Sequence, residues 1–458
     1  MKKDTAWTKY NASDINKLNS IANDYKKFIS NNKTEREIVK EVIKRAEEKG
    51  FIDLDKLVKD KKEIKSGDKI YVNNRGKSIA LFVIGEEPLE NGMNILGAHI
   101  DSPRLDLKAN PLYEESGFAY FDTHYYGGIK KYQWVTMPLA IHGVVVKKDG
   151  KVVDICIGEK ESDPVVGITD LLPHLAEEQM KKEATKVVEG ENLDLLIGSR
   201  PNKDEEDKVK GYILELLNEK YNIEEADFLS AELEIVPAGQ ARDFGLDKSM
   251  VMAYGQDDKV CAYTSLRAIL EMNKVKRTSS CILVDKEEIG SVGATGMESN
   301  FYENAINEIH TLMDNDSYLA TPRTLKNSYM LSSDVNSAYD PLYKDVMQET
   351  NSSFLGKGLV FSKYTGSRGK YDSNDANAEY IAKIRKVMDD NNIDFQISEL
   401  GKVDIGGGGT IAYILANRSV EVIDAGVAVL SMHAPWEVTS KADIYEAYKG
   451  YIHFLKEL

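Results

Sequence analysis

Two periodicities divide the chain. Between residues 13 and 49 apolar positions recur at helical spacing, which predicts two helices. In the second, Ile38, Val39, Val42, Ile43 and Ala46 share a face, Thr34 and Glu37 have capping-box spacing, and Gly50 supplies a stop. Short apolar runs then predict strands at 69–72, 78–84 and 94–99. From about 109 to 236 the character changes. Strand-like pieces at 118–121, 139–146 and 152–157 precede a stretch dense in Lys and Glu, from Glu177 to Asp227. Within it, 202–207 reads as an exposed loop or helix start, and the charge run as a solvated face without chemistry.

From about 237 helix and strand alternate again. Helices are predicted over 259–272, 376–389 and 410–416, and strands at 279–285, 329–333, 394–397 and 420–423. A last helix starts near Ser440 with Asp443 three residues on, and Ile444, Tyr448, Tyr451, Ile452 and Leu455 give it an apolar face. The simplest account is an α/β domain made of 1–108 and 237–458, interrupted by an inserted domain at 109–236.

Composition narrows the function. A formal charge of −16 argues against nucleic acid or an anionic membrane surface as the main partner. Three cysteines, none in CxxC spacing, make neither a disulfide framework nor a thiolate metal motif, which suits a reducing, cytoplasmic setting. The opening MKKDTAWTKYNASDINKL has no apolar core of a secretory signal. No apolar run approaches the roughly 18–20 residues that cross a bilayer.

Several predicted strands end on acids or histidines. The 279–285 strand runs into Lys286-Glu287-Glu288-Ile289-Gly290, adjacent glutamates before a glycine turn. Neighbouring side chains there diverge, so one can bind a cation while the other moves a proton; a solvated acidic turn is the plainer alternative. His99 closes a strand, and Asp101, two residues on, shares its face in extended chain. A carboxylate so placed fixes the tautomer of a histidine ligand, although a hydrogen-bonded surface histidine fits as well. Asp257-Asp258 precedes a predicted helix, where capping alone would explain it. Asp334 follows a strand and fits an ordinary Asx turn; His433 ends an apolar run and fits a core histidine. The Gly406–Gly409 run lacks the Lys-Ser/Thr of a phosphate loop and reads equally as a close-packed turn. There is no GxSxG, and no cysteine stands in an activating setting. Together, His99, Asp257, Glu288, Asp334 and His433, with Glu287 and Asp101 as helpers, make the inventory of a two-metal hydrolase. Nitrogen and oxygen donors without thiolate suit Zn²⁺, with Mn²⁺ or Co²⁺ also possible.

Longer motifs carry a resemblance. AHIDSPRLDLKANP (98–111), YYGG (125–128), GQDDKV (255–260), DKEEIGSVGATG (285–296), SSDVNSAYDP (332–341), GGGGTIAYILANR (406–418) and SMHAPWE (431–437) occur in order over most of the chain. The chain resembles the aspartyl aminopeptidase family, which includes vacuolar aminopeptidase I and bacterial relatives. The resemblance implies a mixed-sheet α/β/α catalytic domain of the zinc-exopeptidase kind with an inserted, mainly β oligomerisation domain. It implies two divalent ions held by His99, Asp257 (bridging, before a cis peptide bond), Glu288, Asp334 and His433. Glu287 would be the general base and Asp101 the orienter of His99. The substrates implied are peptides with a free N-terminus, and the assembly a homo-oligomer, commonly a tetrahedral dodecamer. His174 matches a family histidine in the insertion, treated as a metal ligand or as reaching a neighbouring subunit's site; the sequence also allows a core histidine.

Two stretches depart from the family. Ser337 and Asp340 stand where it has histidines after Asp334, and Lys130-Lys131-Tyr132-Gln133-Trp134 replaces its Trp-Phe-Asp-Arg. Both bear on substrate recognition or assembly, which leaves the preferred N-terminal residue open. Ser337 is a substrate-binding candidate, and Lys363, Arg368 and Lys370 are candidate cations for an acidic side chain, with a plain surface role for all three as the alternative. A different dinuclear exopeptidase or deacylase, or a non-catalytic shell protein with a relic site, are the rival readings.

Overall fold

The computed structural model describes residues 4–202, 208–371 and 373–458. The loop or helix start expected at 202–207 falls, beyond Asn202, outside the described residues. The chain forms two compact units. One comprises Met1–Asp101, Ala241–Met432 and Glu437–Leu458; the other comprises Ser102–Gln240 with His433–Trp436. The second therefore begins before residue 109, and takes a short piece from near the C-terminus.

The first unit is built on a nine-stranded mixed sheet. Its order is Ile52–Asp53, Lys69–Asn74, Ser78–Val83, Thr278–Val284, Met93–His99, Tyr329–Ser332, Glu421–Gly426, Leu359–Ser362, Phe395–Ser398. The four strands from Thr278–Val284 to Glu421–Gly426 are mutually parallel, so their carboxyl ends open on one edge. Alternation divides the sheet's side chains between two helical layers: in Ser78–Val83, Leu81 and Val83 join one core, Ala80 and Phe82 the other. Helices Ala12–Asn31, Glu35–Glu48, Gln256–Leu270, Ala378–Asp390 and Lys441–Glu457 cover the first face. Leu54–Asp60, Phe301–Leu312, Ala320–Lys326 and Ala412–Ala416 cover the second. The layers are α/β/α, with both faces dry.

Local signals place these helices. The Thr34 hydroxyl accepts from Glu37 N and the Glu37 carboxylate accepts from Thr34 N, a box worth about 1 kcal/mol. Ser440 caps the last helix through Ala442 N. Asp443, instead of closing that cap, accepts the Gly356 and Gly358 N–H groups at 2.8 and 2.7 Å. The helix after the glycine run is only five residues, Ala412–Ala416. A Cβ on Gly406 would sit 1.8 Å from Leu400 O and one on Gly407 2.3 Å from Gly366 O, so the run is a close backbone crossing. A second, five-stranded sheet in this unit (Arg242–Phe244, Met250–Ala253, Glu437–Ser440, Ala428–Leu430, Asn336–Ser337) has short strands that the apolar pattern does not announce.

The second unit is a six-stranded antiparallel sheet: Val152–Ile157, Leu139–Val146, Ala231–Pro237, Arg104–Glu115, Phe118–Tyr126, Leu195–Gly198. Arg104–Glu115 is a twelve-residue strand that the sequence pattern hides, because Pro111 interrupts it. The register shifts between Leu107 and Leu112, and such an irregularity is where a strand tolerates proline. The Lys- and Glu-rich stretch holds short helical turns and the helix Lys208–Tyr221. Among the described residues no helix is long and apolar enough to cross a membrane.

Candidate metal centre

The parallel pairing Val284↔His99 sets the stage, because each strand delivers its next residues to the same edge. Beyond His99, Ile100 N still donates to Val284 O at 2.8 Å, and the chain turns at Asp101. The buried Asp101 carboxylate then accepts two backbone donors, Glu287 N at 3.2 Å and Glu288 N at 3.1 Å. It thereby holds the turn that carries both glutamates. His99 Nδ1 lies 3.1 Å from Asp101 O and 3.4 Å from its carboxylate. Its other nitrogen, Nε2, faces Asp257 Oδ1 at 3.1 Å and Glu287 Oε2 at 3.9 Å.

Asp257 stands where Gly255 (φ 69°) turns the chain into the helix. The Asp257–Asp258 peptide is cis, and both residues have non-helical dihedrals, so regular helix starts at Lys259, as its pattern predicts. Asp257 N donates to Glu437 Oε2 at 3.0 Å. Asp258 is fully buried, and its Oδ2 accepts from His99 N at 3.3 Å. Asp334 follows Tyr329–Ser332, whose Ser332 pairs with Gly97 on one side and Asp424 on the other. Gly426 makes room for it: a Cβ there would lie 1.9 Å from Asp334 O.

The acids crowd one another. Burial pushes the Asp334 carboxyl well above the usual range, and Asp258, Glu287 and Asp257 add to the push while His99 opposes it. Asp258 is raised by burial and by Asp257. Burial disfavours the His99 cation, yet Asp101, Asp257 and Glu287 outweigh it and raise the imidazole. In two sets, His99–Asp258–Asp334 and His99–Glu287–Glu288, one donor atom per residue lies within 4.8 Å of the others. Asp258 Oδ1 is buried with no hydrogen-bond partner among the described residues. An orphaned carboxylate oxygen amid nitrogen and oxygen donors fits a divalent cation of the zinc type.

These geometries meet a family model described as Aminopeptidase I zinc metalloprotease (M18), which matches residues 28–455. The chain belongs to the M18 family. It is a metalloaminopeptidase. It is 59% identical over 452 residues to a probable M18 family aminopeptidase 1 of Clostridium acetobutylicum, covering 98% of this chain and 97% of that one. A crystal structure of the M18 aminopeptidase of Thermotoga maritima superposes with a TM-score of 0.95 at 44% identity, each chain covered completely. The S. cerevisiae mApe1 dodecamer shares the fold at 21% identity and a TM-score of 0.78, over 95% of this chain and 96% of that one.

In this M18 chain the first unit brings His99, Asp101, Asp257, Glu287, Glu288 and Asp334 to one strand edge. His433 belongs to the second unit, with left-handed φ of 63° and Nδ1 2.8 Å from Gly128 O. His174 sits exposed in the Pro173–Leu175 turn, which removes the core-histidine alternative. Ser337 pairs with Val429 in the small sheet. Lys363 Nζ is 3.2 Å from Asp375, whose other oxygen is 2.7 Å from Lys370 Nζ, so the two lysines share one carboxylate. Of Asp258 and Glu437, sequence reasoning set the first aside in favour of Asp257 and passed over the second. The doubled aspartate was the visible sign of the first; the second is a lone acid whose role depends on a contact 180 residues away.

Proposed function

We propose that this chain removes N-terminal residues from peptides at a two-cation site held by His99, Asp257, Glu288, Asp334 and His433, with Glu287 as general base. The single observation that carries this is the Asp101 carboxylate, which orders His99 on one side and both glutamate N–H groups on the other. His433 joins the set through the family motif, and its Nδ1 contact with Gly128 O leaves Nε2 as the donor. Two zinc ions, or manganese or cobalt in their place, would polarise the peptide carbonyl and acidify the attacking water. Glu287 Oε takes the proton from that water and returns it to the leaving amine nitrogen. Asp101 keeps Glu287 and His99 in register throughout.

The substrate class follows from the family, peptides with a free N-terminus. Lys363 and Lys370 already share Asp375, which counts against these two, though not against Arg368, as partners of an acidic N-terminal side chain. Ser337 remains the substrate-binding candidate beside Asp334. The catalytic role goes to residues 1–108 and 237–458, in the cytoplasm. The inserted domain, 109–236, builds a homo-oligomer of the tetrahedral dodecamer kind, with His174 offered to a neighbouring subunit's site. Exposed Leu171, Leu172, Leu175 and Met180 support that role, as does the dodecamer of S. cerevisiae mApe1.

Glu287→Gln tests the chemistry. It keeps the side chain's shape and removes the base, so kcat should fall by about 10²–10⁴-fold with metal content unchanged. Activity within threefold of wild type would sink the assignment. N-acetylated peptides should resist hydrolysis; if they are cleaved as fast as free ones, the site is that of a deacylase or another exopeptidase.

A further inference from the structure

Behind the turn that carries Glu287 lies a second charged cluster that the reaction does not use. Lys77 sits between the strands Lys69–Asn74 and Ser78–Val83. Its Nζ is 3.2 Å from Glu35 Oε1 and 3.6 Å from Asp285 Oδ2. Both acids are buried in the first unit, and the lysine side chain is itself only 13% exposed. Asp285 directly follows the Thr278–Val284 strand, two residues before Glu287. Its Oδ2 also accepts from Thr295 Oγ1 at 2.6 Å, and its N donates to Ser78 Oγ at 3.2 Å. Ser78 Oγ in turn donates to Thr295 O.

These bonds close 285–296 into a loop. Ser291 N donates to Lys286 O at 2.7 Å, and a Cβ on Gly296 would lie 2.0 Å from Ser291 O. Lys286 and Ser291 adopt left-handed backbone, φ 71° and 61°, which non-glycine residues hold only where their surroundings enforce it. Asp101 enforces it from the front through the Glu287 and Glu288 N–H groups. Asp285 enforces it from behind, its charge balanced by Lys77 at 3.6 Å and by the more exposed Lys286 at 3.8 Å. Of the two lysines, Lys77 is the one that also pairs with Glu35, so without it two buried carboxylates face each other with Lys286 near one of them, and the repacking that follows moves the loop.

We propose that Lys77 is a positioning residue for peptide hydrolysis: paired with Glu35 and Asp285, it fixes the 286–288 turn from behind and so holds Glu287 in its working place. The proposal rests on Glu287 being the base. Lys77 touches neither substrate nor cation; it acts through Asp285 and the loop. Displacing a catalytic group by about an ångström costs up to roughly 10²-fold in rate, which bounds what Lys77 can contribute.

The test uses the full-length, metal-loaded protein and three variants, K77M, K77R and T295V, with hydrogen exchange on the metal-free protein as a second readout. K77M is expected to lower kcat by about 10- to 100-fold with KM within twofold and metal content unchanged. Its amides in 285–296 should exchange faster while the other strands keep their protection. K77R should recover most of the rate. T295V, which removes one bond to Asp285 without changing charge, should show the same kcat-selective loss at smaller size, and it carries the test if K77M does not fold. If K77M and T295V keep kcat within twofold and the loop's exchange is unchanged, the proposal is overturned. It is equally overturned if K77M loses protection throughout the unit and K77R does not rescue, for Lys77 is then a general stabiliser. An active wild type with an inactive E287Q, beside unaffected K77M and T295V, defeats this proposal alone. Activity retained in E287Q defeats the reading of Glu287 on which it stands.

Discussion

The two units bury their strands to different degrees. In the first, all six residues of Ser78–Val83 and all seven of both Met93–His99 and Thr278–Val284 are buried, since helices cover both faces. In the second, Val152–Ile157 buries only Ile155, and Phe118–Tyr126 alternates between buried and accessible positions. Acids at the ends of doubly covered strands lose solvation and lean on one another, on His99 and on backbone donors. That is the setting in which carboxylates hold cations and move protons. Polar groups on the antiparallel sheet keep more water, and the exposed Leu171, Leu172 and Leu175 of the same unit are suited to contact instead. Changes at the first unit's strand ends should therefore be read out in chemistry, and changes at the second unit's exposed leucines in assembly.

After the loss of the base itself, the largest expected effect lies at the junction of sheet and chemistry. Asp101 accepts two N–H groups with two different oxygens, so Asp101→Asn must turn an N–H₂ towards one of those donors. Loss of this support around a metal-bound histidine should cost about 10- to 100-fold in kcat/KM or in metal affinity. Zinc titration beside steady-state kinetics separates the two. An Asn variant that matches wild type in both would mean the strand edge holds the glutamates without Asp101.

Double coverage also traps groups the chemistry does not need. Burial pushes the Asp443 carboxyl up to about 8, although the Gly356 and Gly358 N–H groups favour its charged form; Glu446 adds to the rise. An acid with a raised folded-state pKa binds its proton more tightly folded than unfolded. Its stabilisation is complete below the ordinary carboxylate range and is lost as pH climbs through about 8. Urea midpoints of the metal-free protein should accordingly fall between pH 5 and pH 9, and Asp443→Asn should flatten that slope. A variant with the wild-type slope would place the pH dependence on other groups.

The layers of the fold and the candidate residues at the strand edge were both announced by local signals, and what depends on distant contacts was not. His99 and Asp101 were legible because two-residue spacing is a strand property, and Glu287-Glu288 because an apolar strand ended on them. Both are local. Asp257 and Asp258 could be told apart only by the family, since a helix start accepts either. The Lys77–Asp285 pair joins residues more than two hundred positions apart, and no periodicity records such a meeting. Pro111 concealed a long strand, because the irregularity that admits it depends on the neighbouring strand's register. The five-stranded sheet was missed for a related reason: two- to four-residue strands hold too little pattern to read.

The smallest expected change in stability is at Leu172, which is 49% exposed beside Leu171 and Leu175 in the second unit. A side chain that makes few contacts within its own chain gives up little when replaced. Leu172→Asp should alter monomer stability by no more than about 0.5 kcal/mol. If this arm is an assembly surface, the same substitution places a charge where apolar area must leave water, and sedimentation should show smaller particles. Per-subunit hydrolysis should then fall only as far as assembly completes the site, so rate and particle size should move together across a protein dilution series. Particles of wild-type size from Leu172→Asp would remove the arm from the assembly, and with it the contrast between a unit that reacts and a unit that associates.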